Sequence, residues 1–161
     1  PIGLLMALAL KWKGTSDVTV VDLSAPRLDL ARGFGFRGIA AGSDDLDPLK
    51  HSFDFVVDAT GVPAVAERLV DYTRDGGAAL FFGVCPQAAR IEISAFEMFR
   101  RQLSLFGTHS LNRNIRETLP LLVENTSEAA RVVSHHLTLP EIAAVFRNGA
   151  PAGAMKVQFS G

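Results

Sequence analysis

The sequence predicts an α/β protein with a doubly wound, mostly parallel sheet, from three observations. Strand-like and helix-like segments alternate along the chain, the order that lays helices over both faces of a parallel sheet. Two runs, Phe53 to Val57 and Ala78 to Phe82, are almost continuously apolar, as strands covered on both faces are. A chain of 161 residues, 48% hydrophobic and 20% charged, also suits one compact domain with a real core.

The elements follow in order. Ile2 to Trp12 is built of strong helix formers and large apolar residues on nearly every side, which predicts a buried helix stopped by Gly14. Val18 to Val21 is a β-branched run that predicts a strand ending at Asp22. Ser24-Ala25-Pro26 then supplies a cap and a first-turn proline for a helix that turns Leu28, Leu30, Ala31 and Phe34 inward and ends around Gly33 to Gly35. Arg37 to Ala40 predicts a short third element, and Asp44-Asp45 with Asp47 before Pro48 a solvated turn.

After the strand at Phe53, Asp58-Ala59-Thr60-Gly61 leads into a helix from about Pro63 to Tyr72. Gly76-Gly77 turns the chain into the Ala78 strand, which stops at Gly83. Ser94-Ala95-Phe96-Glu97 has the spacing of a capping box before a short helix, Leu103 to Phe106 predicts a strand ending at Gly107, and a helix is expected from about Asn114 to Glu124. A second box, Thr138-Leu139-Pro140-Glu141, opens a last helix through Phe146, and Lys156 to Phe159 alternates like a terminal strand.

Composition excludes several classes. The formal net charge is −1 and basic residues are scattered, so no footprint for a nucleic-acid backbone is visible. The longest apolar stretch, Ile2 to Leu10, falls far short of the roughly 20 residues of a membrane span and ends at Lys11-Trp12-Lys13. It has neither the initiator Met nor the basic leader of a signal peptide, so the start reads as a cut inside a longer protein. The one cysteine, Cys85, excludes an internal disulfide and any multi-cysteine zinc cluster, and it suits a reducing compartment, hence a cytoplasmic expectation.

Ligands of open parallel sheets bind beyond the carboxyl ends of the strands. The residues there read Asp22, then Thr60-Gly61, Gly83-Val84 and Gly107-Thr108: one acid, then three places where a small residue lets backbone approach a flat ligand. Each glycine alone is as well explained by a turn. Asp22 lies 19 residues after Gly3, close to the roughly 20-residue gap between a phosphate-binding turn and the carboxylate that takes the adenosine ribose hydroxyls. A carboxylate there would repel a 2′-phosphate and argues for NAD over NADP. The plainer reading is an Asp ending a strand beside Ser24. Arg27 would stack on adenine or neutralise a 2′-phosphate, unless it is simply a solvated helix-surface residue. Pro1-Ile2-Gly3 looks like the second half of a G-x-G-x-x-G turn at a helix N-terminus, with Gly3 as its third glycine.

Taken together, the segments Pro1-Ile2-Gly3-Leu4, Val20-Val21-Asp22-Leu23-Ser24 with Arg27-Leu28 and Ala31-Arg32, Val57-Asp58-Ala59-Thr60-Gly61, Gly76-Gly77 through Phe82-Gly83-Val84, Leu105-Phe106-Gly107-Thr108 and Met155-Lys156-Val157 resemble the medium-chain dehydrogenase family. Within it the likeness is to the sorbitol, arabinitol and threonine dehydrogenase-like zinc enzymes, over essentially the whole chain. The resemblance implies a Rossmann-type fold truncated before its first strand. It implies that Ile2 and Gly3 lie at the pyrophosphate of NAD, Asp22 at the adenosine ribose and Arg27 beside adenine. Thr60 and Gly61 would flank the cofactor, while Phe82, Gly83, Val84, Leu105 and Phe106 would line the nicotinamide pocket.

It further implies an NAD-binding domain over residues 1–131 and a segment 132–161 that returns to an N-terminal catalytic domain preceding Pro1. That domain would carry the catalytic zinc, its ligands and the proton relay, so no catalytic or metal-ligating residue is expected in this chain, and no turnover by it alone. The substrate would be a small alcohol or polyol, and the parent enzyme a homodimer or homotetramer. In the strand order 3-2-1-4-5-6 the first strand is central, so its absence opens two edges, and Val20 and Val56 should not pair with each other. Three alternatives stand beside this reading: a non-catalytic nucleotide-binding domain, a zinc-free NADP-linked reductase, and a methyltransferase, which would not be expected to show the same glycine series.

Other residues have plain explanations. His135-His136 would point to opposite faces of a strand and not share an ion; His109 reads as a loop residue, Cys85 as a packed thiol and Lys156 as structural.

Overall fold

The computed structural model describes residues 1–110 and 113–160. The chain divides into two compact units, Pro1–Ala40 with Arg113–Gly161, and Ala41–Asn112.

The first unit begins with helix α1 (Ile2–Trp12), strand β1 (Thr19–Asp22), helix α2 (Ala25–Gly33) and strand β2 (Arg37–Ala40). β1 and β2 pair in parallel, Val20 opposite Gly38. Leu4, Ala7 and Leu8 of α1 pack with Ala31, Phe34, Phe36, Val132 and Met155 to form this unit's core. The expectation of an all-round buried α1 is met on one face only: Ile2 stays 47% and Leu5 37% exposed. Ser24 precedes α2 as expected, but its hydroxyl makes no capping bond. Its N–H donates instead to Asp22 Oδ1 at 2.9 Å, so the strand-ending carboxylate organises the turn.

The second unit opens with a 3-10 turn (Asp44–Leu49) that is more than a solvated loop, since it carries Leu46 into the interior. Strand β3 (Phe53–Asp58), helices α3 (Pro63–Glu67) and α4 (Leu69–Tyr72), strand β4 (Thr73–Phe81), helix α5 (Ala95–Arg100) and strand β5 (Ser104–Gly107) follow. The sheet order is β3-β4-β5, all parallel, with Val56 opposite Ala79 and Ala79 opposite Leu105. The single helix expected over Pro63 to Tyr72 is two, because the backbone at Arg68 turns to φ −84°, ψ −1°. β4 begins earlier than expected and runs through Gly76-Gly77; the pairing shifts between Phe53 and Phe55, and a Cβ on Gly77 would lie 2.9 Å from the Asp54 carbonyl oxygen. Nor is β3 covered on both faces, for Phe55 is 40% exposed. The box before α5 is half formed: Ser94 Oγ accepts from Glu97 N–H, while the Glu97 carboxylate pairs with Arg100. At the amino end of β4 the buried Arg101 donates to Asp75 Oδ1 (2.8 Å) and to the carbonyls of Val70 and Thr73.

The first unit is completed by helices α6 (Ile115–Glu124) and α7 (Thr126–Ala130), strand β6 (His135–Leu137), helix α8 (Leu139–Asn148) and strand β7 (Val157–Phe159), with β6 and β7 parallel. α7 is too short to show a period in sequence. It brings Glu128 to accept from both Lys11 Nζ and Trp12 Nε1. Those bonds, Lys11 first, hold the Glu128 carboxyl below the usual carboxylate range. The second capping box forms: Thr138 N–H and Oγ1 both donate to Glu141 Oε2, at 2.8 and 2.7 Å.

Among the described residues the strands thus make three ladders, β1-β2, β3-β4-β5 and β6-β7. Val20 and Val56 belong to different ladders and do not pair with each other.

Candidate cofactor site

In the first unit the strand-end reading converges on Asp22. Its Oδ1 accepts the Ser24 N–H, and Oδ2 stands 3.7 Å from Arg27 Nη1, an ion pair too long for a hydrogen bond. The two side chains are 30% and 46% exposed, so the pair is partly open to solvent. In α1, Leu5 N–H is bonded to Pro1 O at 3.0 Å. The N–H groups of Ile2, Gly3 and Leu4 belong to the first turn, where helix geometry offers no partner and the helix dipole is positive. Asp22 and Arg27 thus face each other beyond β1, the strand that α1 packs against.

In the second unit the carboxyl ends of β3, β4 and β5 present the other expected residues. Phe82, Val84 and Phe106 are 39%, 92% and 53% exposed, an apolar surface of the kind a flat aromatic ring can use, and Leu105 is half-buried in the ladder opposite Ala79. Thr60 Oγ1 donates to Asp58 Oδ1 at 2.6 Å and accepts from Val62 N–H at 3.0 Å, so its hydroxyl is committed to the loop. Gly61 sits at φ +70°, and a Cβ there would lie 2.4 Å from the Val84 carbonyl oxygen; one on Gly83 would lie 2.1 Å from Gly61 N. These two glycines are required by each other, backbone against backbone. Gly107 differs: a Cβ there would meet nothing within 4 Å.

Asp58 is the residue the sequence reading passed over. It ends β3, is 1% exposed, and accepts from Thr60 N–H, Thr60 Oγ1 and Gly61 N–H. Nothing local marks it, since Val56-Val57-Asp58 repeats Val20-Val21-Asp22.

Among the described residues no group of three or more His, Cys, Asp or Glu is placed to hold a metal ion, and no helix is long and apolar enough to cross a membrane. His135 is half-buried and His136 exposed in β6, His109 is exposed beyond β5, and Cys85 is a free, half-buried thiol. A shallow hollow of about 440 Å³ lies at the opposite, amino ends of β3 to β5, beside His51, Asp71, Glu97 and Arg101; there Arg101 is already paired with Asp75, and Glu97 with Arg100.

A parallel α/β fold with its candidate residues gathered at the carboxyl ends of the strands is of the doubly wound class. Residues 1–126 match the zinc-binding dehydrogenase family, and the chain belongs to it. It is 47% identical over 161 residues to D-altritol 5-dehydrogenase of Agrobacterium fabrum, covering 99% of this chain and 48% of that one. It is 30% identical over 118 residues to D-arabinitol dehydrogenase 1 of Uromyces fabae, covering 67% and 34%. In fold it is similar to a zinc-binding dehydrogenase of Sinorhizobium meliloti 1021 solved bound to NADP (TM-score 0.88, 24% identity, 99% of this chain and 49% of that one). Glucose dehydrogenase of Haloferax mediterranei, solved with NADP, Zn and gluconolactone, gives a TM-score of 0.81 at 20% identity, covering 99% and 48%. The chain spans about half the length of the curated relative D-altritol 5-dehydrogenase.

Proposed function

We propose that this chain is the cofactor-binding portion of an NAD-dependent, zinc-dependent dehydrogenase that oxidises a secondary alcohol of a polyol or sugar alcohol. The observation that carries the proposal is the partly exposed Asp22 carboxylate at the end of β1, the strand that the N-terminal helix α1 packs against. A dinucleotide needs both features, a diol acceptor and a phosphate cradle. The residues fit: Asp22 Oδ2 would accept from the ribose hydroxyls, Ile2 and Gly3 N–H would meet the pyrophosphate, and Arg27 would lie along adenine. Thr60 and Gly61, with Gly83, Phe82, Val84, Leu105 and Phe106, would bound and dry the nicotinamide end.

When bound, NAD supplies the hydride acceptor. This chain's part is to orient it and exclude water. Zinc and the proton relay would come from residues other than these, on a catalytic domain against which residues 132–161 would pack. The exposed Leu139, Phe146 and Phe159 of that segment support such a contact. Among the described residues the outer edge of β5, with Phe106 on it, pairs with no strand, which supports a homodimer or homotetramer. A reducing, cytoplasmic setting is proposed from the free thiol of Cys85.

The 3.7 Å approach of Arg27 to Asp22 favours a second reading, an NADP-linked reductase of the same family, in which the guanidinium takes a 2′-phosphate. Titrating the complete gene product with NAD and NADP by calorimetry decides between them. We expect at least tenfold preference for NAD, about 1.4 kcal/mol; equal affinity would remove the case for Asp22.

A further inference from the structure

Asp58 is a carboxylate taken almost completely out of water, and among the described residues no Lys, Arg or His lies in salt-bridge range of it. Burying an anion is costly unless donors surround it. Here the donors belong to one loop: Thr60 N–H at 2.8 Å and Thr60 Oγ1 at 2.6 Å to Oδ1, and Gly61 N–H at 3.3 and 3.2 Å to the two oxygens. The main chain of the same residue serves a second loop. Its carbonyl accepts from Phe82 N–H at 3.0 Å and Gly83 N–H at 2.8 Å. A Cβ added to Gly83 would fall 2.8 Å from Asp58 Oδ2, so the carboxylate also lies in contact beneath that second loop.

One residue therefore ties together the Thr60-Gly61 and Phe82-Gly83 crossings. We infer that Asp58 is a positioning residue for the dinucleotide: from beneath, it holds the peptide planes of Thr60-Gly61 in register with Gly83-Val84, and so shapes the surface offered to the nicotinamide end. The inference rests on the dinucleotide-binding reading above. A carboxylate suits the task because it is acceptor-only, whereas an amide of equal size would turn N–H against N–H. A turn alone would not call for burial, since Asp22 makes the same contact to residue i+2 while half-open to solvent.

The test uses the complete gene product, with NADH binding followed by fluorescence and melting followed by circular dichroism. Asp58→Asn should raise the NADH dissociation constant and the KM for NAD together, about tenfold, with the KM for the alcohol moving much less. Asp75→Asn, which loosens Arg101 at the far end of β4, should lower the melting temperature without moving the NADH dissociation constant; that separates positioning from general loss of stability. If Asp58→Asn does not fold, Thr60→Val, which removes one donor at the exposed lip, decides the question with an expected threefold rise. Wild-type affinity in a folded Asp58→Asn, or in Thr60→Val where Asp58→Asn does not fold, overturns the inference alone. A wild-type protein that binds neither NAD(H) nor NADP(H) overturns it together with the proposed function.

Discussion

The ends of β1 and β3 start from the same tripeptide, Val-Val-Asp, and make the same first contact, yet they become different things. In both, Oδ1 of the aspartate accepts the N–H two residues on, from Ser24 at 2.9 Å and from Thr60 at 2.8 Å. At Asp22 the next residues run into α2, and the second carboxylate oxygen stays open, with Arg27 nearby. At Asp58 the chain folds back through Gly61, and Gly83 arrives from beyond β4 to close the site. A local motif thus sets the turn, while what comes to rest on it determines whether the carboxylate stays partly exposed or is sealed in.

The sharpest way to break that contrast is to crowd the closure. Gly83→Ala places a methyl where Gly61 N already lies 2.1 Å away, and it should cost about 2–3 kcal/mol of stability in urea titrations. Gly107→Ala, whose Cβ would meet nothing within 4 Å, should stay within about 0.5 kcal/mol. Equal costs for the two would show that the crossing is loose and the strut idle.

On the open side, Asp22→Ser should leave melting nearly unchanged but erase the preference for NAD, a change of tenfold or more in the NAD-to-NADP affinity ratio, about 1.4 kcal/mol. Retained preference would move the discriminating group elsewhere. The smallest expected effect is at Glu128, which ties α7 to Lys11 and Trp12. Glu128→Gln should cost about 1 kcal/mol or less. The sign of its pH dependence follows from its lowered pKa: the contribution is whole above the ordinary carboxylate value and is lost as pH falls through the folded-state value. Stability of the variant against pH should accordingly be flatter in that acid window, and an unchanged slope would remove the clasp from the account.

Much of this was legible in the residues themselves. α1 and β2 begin and end at the residues expected of them, and the Thr138 to Glu141 spacing forms its box. Other features were hidden for physical reasons. α7 spans five residues, less than two helical turns, so no period can declare it. The early start of β4 depends on pairing with Phe53, a contact between residues twenty apart. Gly61 and Gly83 read as openings for a ligand, yet the backbone of Val84 already crowds Gly61 and that of Gly61 crowds Gly83.

The sequence by itself determined the alternation of strands and helices, the acidic and glycine residues at the strand ends, and the family, because these rest on short-range pattern and on residue type. Only the tertiary structure decided which of two identical Val-Val-Asp endings is open and which is sealed. Burial is set by residues distant in the chain, and no property of the tripeptide encodes which of them will arrive.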